Sequence, residues 1–318
     1  MNNASLNIEN IGIIGSGVIG ASWSALFLAA GYAVINYDPD PDNADKTSRY
    51  IDQAWGNLEE LGMVKSGASP DRIRYVDSPA AATADAQFIQ ESVPERIDIK
   101  HDTFASMEPV LQDGAIVATS SSGLLLKEMQ AGWKDPSRFI LGHPFNPPHL
   151  IPLVELLGND ATADGVLDRA AAIYEGAGKE TIRVLKEVPA HVANRLQAAL
   201  WREAISLVAE GVASVEDVDK AVTAGPGLRW SVMGPHMLFS LGSGGGGIGT
   251  FCERFGPSFH TWWESMGDPR LTPEVIAMLK SGIMEEEAGR SFDELAQERD
   301  AKLIGAMKAF RKVSSQGK

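Results

Sequence analysis

The sequence has almost no cysteine: Cys252 is the single one among 318 residues. No intramolecular disulfide can form, and no cysteine cluster is available for zinc or an iron–sulfur centre, so we predict no metal site. This composition is typical of a reducing compartment, and we expect a cytoplasmic location. The first ten residues (MNNASLNIEN) hold no basic or long apolar run, so no signal peptide is predicted. No apolar stretch approaches the roughly 18 residues that suggest a membrane span.

Positive charge is also scarce, because 28 Lys and Arg face 42 Asp and Glu, a formal net charge of −14. This balance offers no basic surface for nucleic acid, and an anionic membrane would repel the chain. Most of the imbalance lies early: residues 1–187 hold 14 basic and 26 acidic side chains, whereas residues 188–318 hold 14 and 16. An anionic ligand of the first part therefore requires dedicated local contacts.

Short β-rich runs alternate with helix-length segments over roughly the first 180 residues. The runs are Ile11–Ile14, Ala33–Tyr37, Gln87–Glu91, Ala115–Ala118, Phe139–Gly142 and Leu153–Leu156. This alternation predicts βαβ units and a doubly wound, mostly parallel sheet. The segment 42–67 is long for one crossover, and it predicts a helical hairpin with a break near Gly62.

The pattern changes near Pro189. Apolar residues at three- and four-residue steps predict one long helix over His191–Val212. Ser214, followed by Val-Glu-Asp, predicts the capped start of another helix, and the glycine-rich run 242–249 predicts a flexible loop. We therefore predict an α/β domain over residues 1–187 and an all-helical domain over residues 188–318.

A glycine motif, Gly15-Ser-Gly-Val-Ile-Gly20, follows the first predicted strand and opens a helix-like run. This context is that of a dinucleotide-binding turn in a Rossmann-type domain. Gly15 permits the tight turn, Gly17 lets the backbone approach a pyrophosphate, and Gly20 lets helix and strand pack closely. The helix start at Val18 and Ile19 supplies free N–H groups that bind an anion without lysines.

Asp38 ends the second predicted strand, eighteen residues after Gly20. A carboxylate at this place accepts hydrogen bonds from a ribose diol and repels a 2′-phosphate. The neighbouring Asp40 and Asp42 add to this repulsion. NAD is therefore the predicted cofactor, the alternative being a plain turn with a solvated strand end.

Three further stretches carry polar side chains that suit catalysis. They are Ala118–Gly123 (ATSSSG), Gly142–Pro147 (GHPFNP), which runs on to Glu155, and Ala193–Leu196 (ANRL). Together with the glycine motif they resemble the L-3-hydroxyacyl-CoA dehydrogenase superfamily over nearly the whole chain. The most specific match is the His-Pro-Phe-Asn-Pro stretch with a glutamate twelve residues after His143.

The resemblance implies oxidation of a secondary alcohol by a His–Glu pair. His143 is the predicted general base, because an imidazole titrates near neutral pH. Glu155 is expected to bind its other ring nitrogen, which fixes the tautomer and stabilises the imidazolium as it forms. The other five histidines carry no such context, and we expect them to be structural or exposed: His101, His149, His191, His236 and His260.

Four more residues receive roles from the same resemblance. Ser122 and Asn194 are expected to hydrogen-bond the reacting oxygen and to orient the carbinol carbon. Ser120 and Ser121 remain alternatives for the serine. Glu95 and Lys100 resemble the family's contacts to the nicotinamide side of the cofactor. The structural alternatives are a solvated turn serine at Ser122 and a helix cap at Asn194.

The sequence departs from the family just before Asn194. The family usually reads Pro-Gly-Phe-Val-x-Asn-Arg, whereas this chain reads Pro189-Ala-His-Val-Ala-Asn-Arg. Ala190 and His191 therefore alter the wall beside the site. This departure bears on the predicted substrate more than on the predicted chemistry.

Two features argue against a CoA thioester as substrate. Residues 41–72, where CoA-using relatives present lysines, contain four basic and six acidic side chains. The segment Gly227–Pro235 (GLRWSVMGP) resembles the CoA-independent branch that contains lambda-crystallin (L-gulonate 3-dehydrogenase) and L-carnitine dehydrogenase. By that resemblance Arg229 is the clamp for a substrate carboxylate, and a guanidinium binds carboxylate in bidentate fashion. The alternative for Arg229 is a structural salt bridge.

The predicted activity is NAD-dependent oxidation of the 3-hydroxyl of a short, CoA-free L-3-hydroxy acid, either carnitine-like or a sugar acid. A trimethylammonium head would require aromatic faces, and the candidates are Trp230, Phe239, Phe251, Trp262 and Trp263. The alternative activity is 3-hydroxyacyl-CoA oxidation, and the non-enzymatic alternative is a crystallin-like or dinucleotide-sensing protein. The resemblance also implies a homodimer formed through the helical domain.

Overall fold

A computed structural model describes residues 8–316, with side chains as far as residue 310. The prediction about a signal peptide concerns mainly residues 1–7, which lie outside this range. The chain divides into two compact units, one ending at Val192 and the other beginning at Ala193. The predicted domain boundary after residue 187 lies five residues earlier, and the assignment of functions to the two domains remains a proposal.

The first unit is an α/β domain in which strands and helices alternate. Its elements are β1 (Asn10–Ile14), α1 (Val18–Ala29), β2 (Ala33–Tyr37), α2 (Asn43–Glu60), β3 (Ile73–Tyr75), α3 (Pro79–Thr83), β4 (Phe88–Glu91), α4 (Ile97–Met107), β5 (Ile116–Thr119), α5 (Leu126–Gln130), β6 (Phe139–Pro144), β7 (Leu153–Leu157), α6 (Val166–Gly176) and β8 (Glu180–Arg183). Short 3-10 turns lie at Glu108–Val110 and Pro136–Arg138.

The eight strands form one sheet in the order β3-β2-β1-β4-β5-β6-β7-β8. Every neighbouring pair is parallel except β6 and β7, which are antiparallel. The predicted doubly wound, mostly parallel sheet is confirmed. The strand order reverses between β1 and β4, and ligands of such sheets bind at the carboxyl ends of the strands beside this switch point.

Helix α1 is apolar on all sides and lies buried, as a helix of that composition must. Its Trp23 and Phe27 stack on each other and contact Tyr174 of α6. Phe88 of β4 meets the rings of Phe27 and Tyr174 edge-on. This aromatic packing fixes the start of α1 against the sheet, and the glycine motif lies at that start.

The second unit is helical. Its elements are α7 (Ala193–Ala209), α8 (Val215–Ala224), α9 (Pro226–Trp230), α10 (Pro235–Leu241), α11 (Gly247–Ser265), α12 (Pro273–Glu287) and α13 (Phe292–Gln316). Ser214 accepts a hydrogen bond from the backbone N–H of Asp217, so the predicted capped start of this helix is confirmed. Within residues 8–316 the structure holds no helix with both the length and the apolar character needed to cross a membrane.

Three local predictions were wrong in part. The segment 42–67 forms the single helix α2, because Gly62 adopts φ +66° after its last turn and Gly67 adopts φ +79° further on. Helix α7 begins at Ala193 rather than at His191, since Ala190 and His191 have left-handed backbone angles of 63° and 51°. Helix α11 begins inside the glycine-rich run, which leaves residues 242–246 as the loop.

Candidate active site

The glycine turn after β1 has the geometry of a cradle for an anion. Gly15 adopts φ +88°, and a Cβ there would lie 2.7 Å from the backbone of Ser92, at the end of β4. A Cβ on Gly20 would lie 1.8 Å from the carbonyl oxygen of Gly15, whereas the space beside Gly17 is open. No other side chain could therefore replace Gly15 or Gly20 without moving the turn.

The start of α1 leaves its own donors available. Gly17 is the N-cap and provides no side-chain hydrogen bond, and the N–H groups of a first helical turn have no partner within their helix. Val18 is exposed and Ile19 is half-buried. A pyrophosphate fits this place, because it can approach the backbone at Gly17 and accept hydrogen bonds from the helix start.

Asp38 follows β2 and is half-buried beside the turn. Its Oδ2 accepts a hydrogen bond of 2.7 Å from the backbone N–H of Ser16, and its Oδ1 accepts one of 2.9 Å from that of Asp40. Each carboxylate oxygen keeps a second lone pair, so Asp38 can also accept hydrogen bonds from a ribose diol. The carboxylate is thus fixed beside the glycine turn, where it would repel a 2′-phosphate.

His143 and Glu155 lie directly opposite each other on the antiparallel pair β6 and β7. The Nδ1 of His143 lies 2.8 Å from the Oε2 of Glu155, and both side chains are buried. The hairpin register brings together two residues that are twelve positions apart. Because Nδ1 is engaged, Nε2 is the ring nitrogen left for proton transfer.

Glu155 also holds the turn that precedes α7. Its Oε1 accepts a hydrogen bond of 2.9 Å from the backbone N–H of Val192. The preceding residue, His191, is buried, and its ring centroid lies 5.3 Å from that of His143. One carboxylate therefore ties together His143 and the turn that carries His191, a contact that the sequence pattern did not indicate.

The serine loop, residues 120–124, distinguishes its three serines. Ser120 Oγ lies within hydrogen-bond distance of Gln90 Nε2 and Ser92 Oγ. Ser121 Oγ donates a hydrogen bond of 2.6 Å to Glu95 Oε1. Ser122 is exposed, and its hydroxyl has no partner among the described residues. Of the three, Ser122 thus has the hydroxyl that is available to a substrate.

Glu95 organises this loop through its Oε1. Besides the Ser121 hydroxyl, that oxygen accepts hydrogen bonds from three consecutive backbone N–H groups, those of Ser122, Gly123 and Leu124. Burial opposes ionisation of the Glu95 carboxyl, but these hydrogen bonds and the charge of Lys100 hold its pKa below its ordinary value. Glu95 is therefore a charged residue that shapes the loop around Ser122.

Lys100 lies deeper than a cofactor contact requires. Its Nζ is buried, at 2.8 and 2.9 Å from the two carboxylate oxygens of Glu91 and 3.9 Å from Glu95 Oε2. This geometry makes Lys100 the partner of Glu91, a residue that the motif analysis did not single out.

A lysine that the sequence did not indicate holds the loop between β6 and β7. Lys179 is buried, and its Nζ donates hydrogen bonds to the carbonyl oxygens of Pro148 (2.6 Å) and Ile151 (2.5 Å). It also lies 5.1 Å from the centroid of the Trp23 ring. Burial lowers the pKa of Lys179 to about 7.

The same loop is bound to α1 at a second point. His149 Nδ1 lies 2.8 Å from Ser22 Oγ, which also accepts a hydrogen bond from the His149 backbone N–H. Three elements, α1, β6 and β7, are thus linked around His143. His149 is structural, as the sequence analysis expected.

Asn194 and Arg229 belong to the second unit. Asn194 lies in the first turn of α7, and Arg229 lies on the short helix α9. The Arg229 side chain is exposed, and among the described residues it has no carboxylate within 4.0 Å. The alternative of a structural salt bridge therefore has no partner in this part of the chain.

Comparisons with known proteins assign both parts of the chain to one family. The family model "3-hydroxyacyl-CoA dehydrogenase, NAD binding domain" matches residues 10–188, and the model of the C-terminal domain of the same family matches residues 191–290. An L-carnitine dehydrogenase of Streptomyces coelicolor is 44% identical over 303 residues, which cover 95% of each chain. An L-carnitine dehydrogenase of Nocardiopsis dassonvillei is 43% identical over 306 residues, 96% of this chain and 93% of the relative.

A solved structure is similar over the same length. It is that of a 5-formyl-3-hydroxy-2-methylpyridine 4-carboxylic acid 5-dehydrogenase, described as an NAD+-dependent dismutase. Its TM-score is 0.81 at 27% identity, and the match covers 96% of this chain and 99% of that one. Together the family models and the relatives show that the chain belongs to the 3-hydroxyacyl-CoA dehydrogenase family, as an NAD-dependent dehydrogenase that acts on a CH–OH group.

Proposed function

We propose that this enzyme oxidises the 3-hydroxyl of free L-carnitine to the 3-oxo acid, with His143 as the general base. The observation that carries the proposal is the buried pair of His143 Nδ1 and Glu155 Oε2 at 2.8 Å. This pair leaves Nε2 of His143 to accept the hydroxyl proton, and the Glu155 carboxylate stabilises the imidazolium that results.

The other residues bind and orient. The glycine turn and Asp38 hold NAD, which when bound supplies the acceptor for the hydride that leaves the carbinol carbon. The hydroxyl of Ser122, on the loop that Glu95 organises, hydrogen-bonds the reacting oxygen. Asn194 is proposed for the same task. The C–H bond and the O–H bond break, and a C=O bond forms.

The substrate assignment is supported by the relatives that are named L-carnitine dehydrogenases. A free carboxylate also suits Arg229, whose guanidinium has no carboxylate partner among the described residues. The acidic segment 41–72 argues against the phosphates of CoA. The dehydrogenase with the TM-score of 0.81 is itself named for a carboxylic acid.

The trimethylammonium head is not assigned to the rings of Phe239 and Phe251. These two rings stack with centroids 4.8 Å apart, and Phe251 also lies 4.8 Å from Phe255. A cation needs a ring face to itself, and no cation fits between faces at this spacing. Trp230, Trp262 and Trp263 are exposed and remain the candidate faces.

We further propose that the enzyme is a homodimer and that it works in the reducing cytoplasm, which its single cysteine suits. The dimer is assigned to a groove on the helical unit, which we call the α7–α12 groove. Its exposed apolar members are Trp201, Leu271, Ile276, Ile283 and Met284. Contiguous exposed apolar surface of this kind is typical of a protein interface.

The experiment is a substrate panel read by the absorbance of NADH. The purified protein is offered L-carnitine, D-carnitine, L-gulonate, 3-hydroxybutyrate and 3-hydroxybutyryl-CoA, each with NAD and with NADP. We expect the highest kcat/KM for L-carnitine with NAD. A preference for the CoA thioester would overturn the proposed substrate, and a preference for NADP would overturn the role of Asp38.

A further inference from the structure

His191 is a buried histidine that lies beside the proposed base, His143. It is 2% exposed, and its ring centroid lies 5.3 Å from that of His143. Its Nε2 lies 3.4 Å from the backbone carbonyl oxygen of Ser121, on the serine loop. The ring therefore lies between the base and the loop that carries Ser122.

The backbone at this place is held in an uncommon conformation. The consecutive residues Ala190 and His191 have φ angles of 63° and 51°, in the left-handed region where residues other than glycine are rare. The hydrogen bond from Val192 to Glu155 Oε1 keeps the turn in place. Strain of this kind persists where surrounding contacts determine it, and it concentrates at functional sites.

The ring nitrogen Nδ1 of His191 is buried and has no hydrogen-bond partner among the described residues. Nε2 faces a carbonyl oxygen, which can only accept, so Nε2 carries the proton of the neutral ring. Nδ1 is then a hydrogen-bond acceptor. A phenylalanine at this position would fill similar space without burying a polar atom that lacks a partner.

The charges around the ring favour this neutral form. Burial and the positive charge of a protonated His143 lower the pKa of His191. The Ser121 carbonyl and the carboxylates of Glu155 and Glu187 act in the opposite direction but do not reverse the shift. Near neutral pH the ring is thus uncharged and keeps its acceptor.

We propose that His191 is a binding residue whose Nδ1 accepts a hydrogen bond from an O–H group that arrives with the substrate. In a substrate that carries a second hydroxyl, that hydroxyl is the donor. For L-carnitine, whose single hydroxyl is the reacting one, the donor is a water molecule that the substrate holds beside the reacting carbon. The inference rests on the proposed role of His143.

The test compares His191→Phe, which removes both ring nitrogens, with His191→Gln, which keeps an acceptor. The substrates are 3-hydroxybutyrate, 3,4-dihydroxybutyrate and whichever compound of the panel the wild type oxidises best. A buried donor left without its acceptor costs about tenfold or more in binding. We expect His191→Phe to lower kcat/KM about tenfold and His191→Gln to stay within about threefold of the wild type.

The pattern among substrates identifies the donor. A loss confined to 3,4-dihydroxybutyrate assigns the contact to the substrate's second hydroxyl, and an equal loss for all substrates, restored by Gln, assigns it to water. The control is His101→Phe, because His101 Nε2 also lies near a backbone carbonyl oxygen, that of Glu128 at 2.9 Å. We expect it to leave kcat/KM unchanged, and the Kd of NAD to stay within about twofold in all variants.

Two results would overturn the inference. One is a His191→Phe enzyme whose kcat/KM stays within about twofold of the wild type for every substrate. The other is a His191→Gln enzyme as impaired as His191→Phe while the melting temperatures of both equal that of the wild type. The proposed function fails separately, if the wild type does not oxidise L-carnitine, because the His191 test uses whichever substrate is turned over.

Discussion

The two units of the chain bury their apolar residues to different degrees. In the first unit the central strands β4, β5 and β6 are buried from end to end, and so is nearly all of α1. In the second unit none of the residues of α9, α10, α11 and α12, all within the described range, is buried. Apolar side chains as large as Met284 are 71% exposed there.

This difference separates two ways of using apolar residues. The strands of the sheet are buried and hydrogen-bonded within one unit. Polar groups such as Glu155 and Lys179 are therefore buried away from water and held in fixed positions. The helices of the second unit leave apolar surface exposed. We propose that a second copy of the chain covers part of this surface, the α7–α12 groove. Substitutions in the first unit are therefore expected to reduce the rate of the reaction, and substitutions in the second unit to weaken dimer formation or substrate binding.

The largest effect is expected from His143→Ala in the first unit. A general base contributes about 10²- to 10⁴-fold, so kcat/KM should fall by that factor in a steady-state assay, with the Kd of NAD nearly unchanged. The melting temperature should fall as well, because the buried Glu155 carboxylate loses its His143 partner. The control is His236→Ala, an exposed histidine of α10. Activity of His143→Ala within tenfold of the wild type would show that another group accepts the proton.

The groove of the second unit is tested by Met284→Glu. A carboxylate buried in an apolar interface without a partner costs several kcal/mol, so the Kd of the dimer should rise about 100-fold or more in sedimentation equilibrium. Leu185→Glu is the matched control, because Leu185 is 94% exposed but belongs to the first unit. A dimer that tolerates Met284→Glu as well as Leu185→Glu would remove the groove from the interface.

Arg229→Met tests whether the second unit also binds substrate. Hydrogen bonds to charged groups contribute about 1.5–3 kcal/mol, so kcat/KM for L-carnitine should fall about tenfold to 100-fold while the Kd of NAD stays the same. Arg270→Met serves as control, since Arg270 is exposed and pairs with Asp268. Equal losses for substrate and NAD would contradict a carboxylate clamp.

How much the sequence predicts depends on how local the cause is. The glycine turn was predictable, because its three glycines and the strand before it lie in one short segment, residues 10–20. The approach of His143 to Glu155 was predicted from the family resemblance, and the hairpin register of β6 and β7 supplies its physical cause. In both cases a pattern of fewer than twenty residues contains the whole arrangement.

Groups that depend on several elements were not predictable in the same way. The buried pair of Lys100 and Glu91 had no signal in the motif, because it depends on β4 presenting Glu91 to α4. Lys179 precedes β8, yet its partners are the Pro148 and Ile151 carbonyls and the ring of Trp23, which come from two other regions of the chain. The departure from the family motif pointed to His191 as part of the wall beside the site, but residue type alone does not encode its left-handed backbone.

Lys179 gives the first unit a measurable pH dependence of stability. Its pKa is about 7 in the folded chain, against an ordinary value of 10.5 in the unfolded chain. Between these values the unfolded state binds more protons, so the free energy of unfolding should rise with pH by at most about 1.4 kcal/mol per pH unit from this group. The stabilising contribution is absent below about pH 7, where both states are protonated.

The measurement is urea unfolding of the wild type and of Lys179→Met between pH 7 and 10. The difference between the two free energies should change in favour of the wild type as the pH rises. Lys65→Met, a lysine of the same unit that also donates to a backbone carbonyl but at an exposed place, is the control. Parallel profiles for the wild type and Lys179→Met would show that the buried amine keeps its proton.

The smallest effect tests the strained turn beside the site. Ala190 adopts φ 63°, which costs an L-amino acid about 1–2 kcal/mol and costs glycine almost nothing. Glycine loses more backbone entropy on folding, about 0.5–1 kcal/mol relative to alanine. Ala190→Gly should therefore raise the free energy of unfolding by about 0.5–1 kcal/mol in urea titration.

Ala131→Gly is the control of opposite sign, because Ala131 is exposed at the end of α5 with a right-handed backbone, φ −63°. It should lower the stability by a similar amount. A lower kcat/KM in an Ala190→Gly enzyme whose fold is stabilised would show that the left-handed backbone at Ala190 positions His191 for activity. If it destabilises the protein as Ala131→Gly does, the turn at 190 is not strained, and the first unit then has no conflict between its backbone and its site.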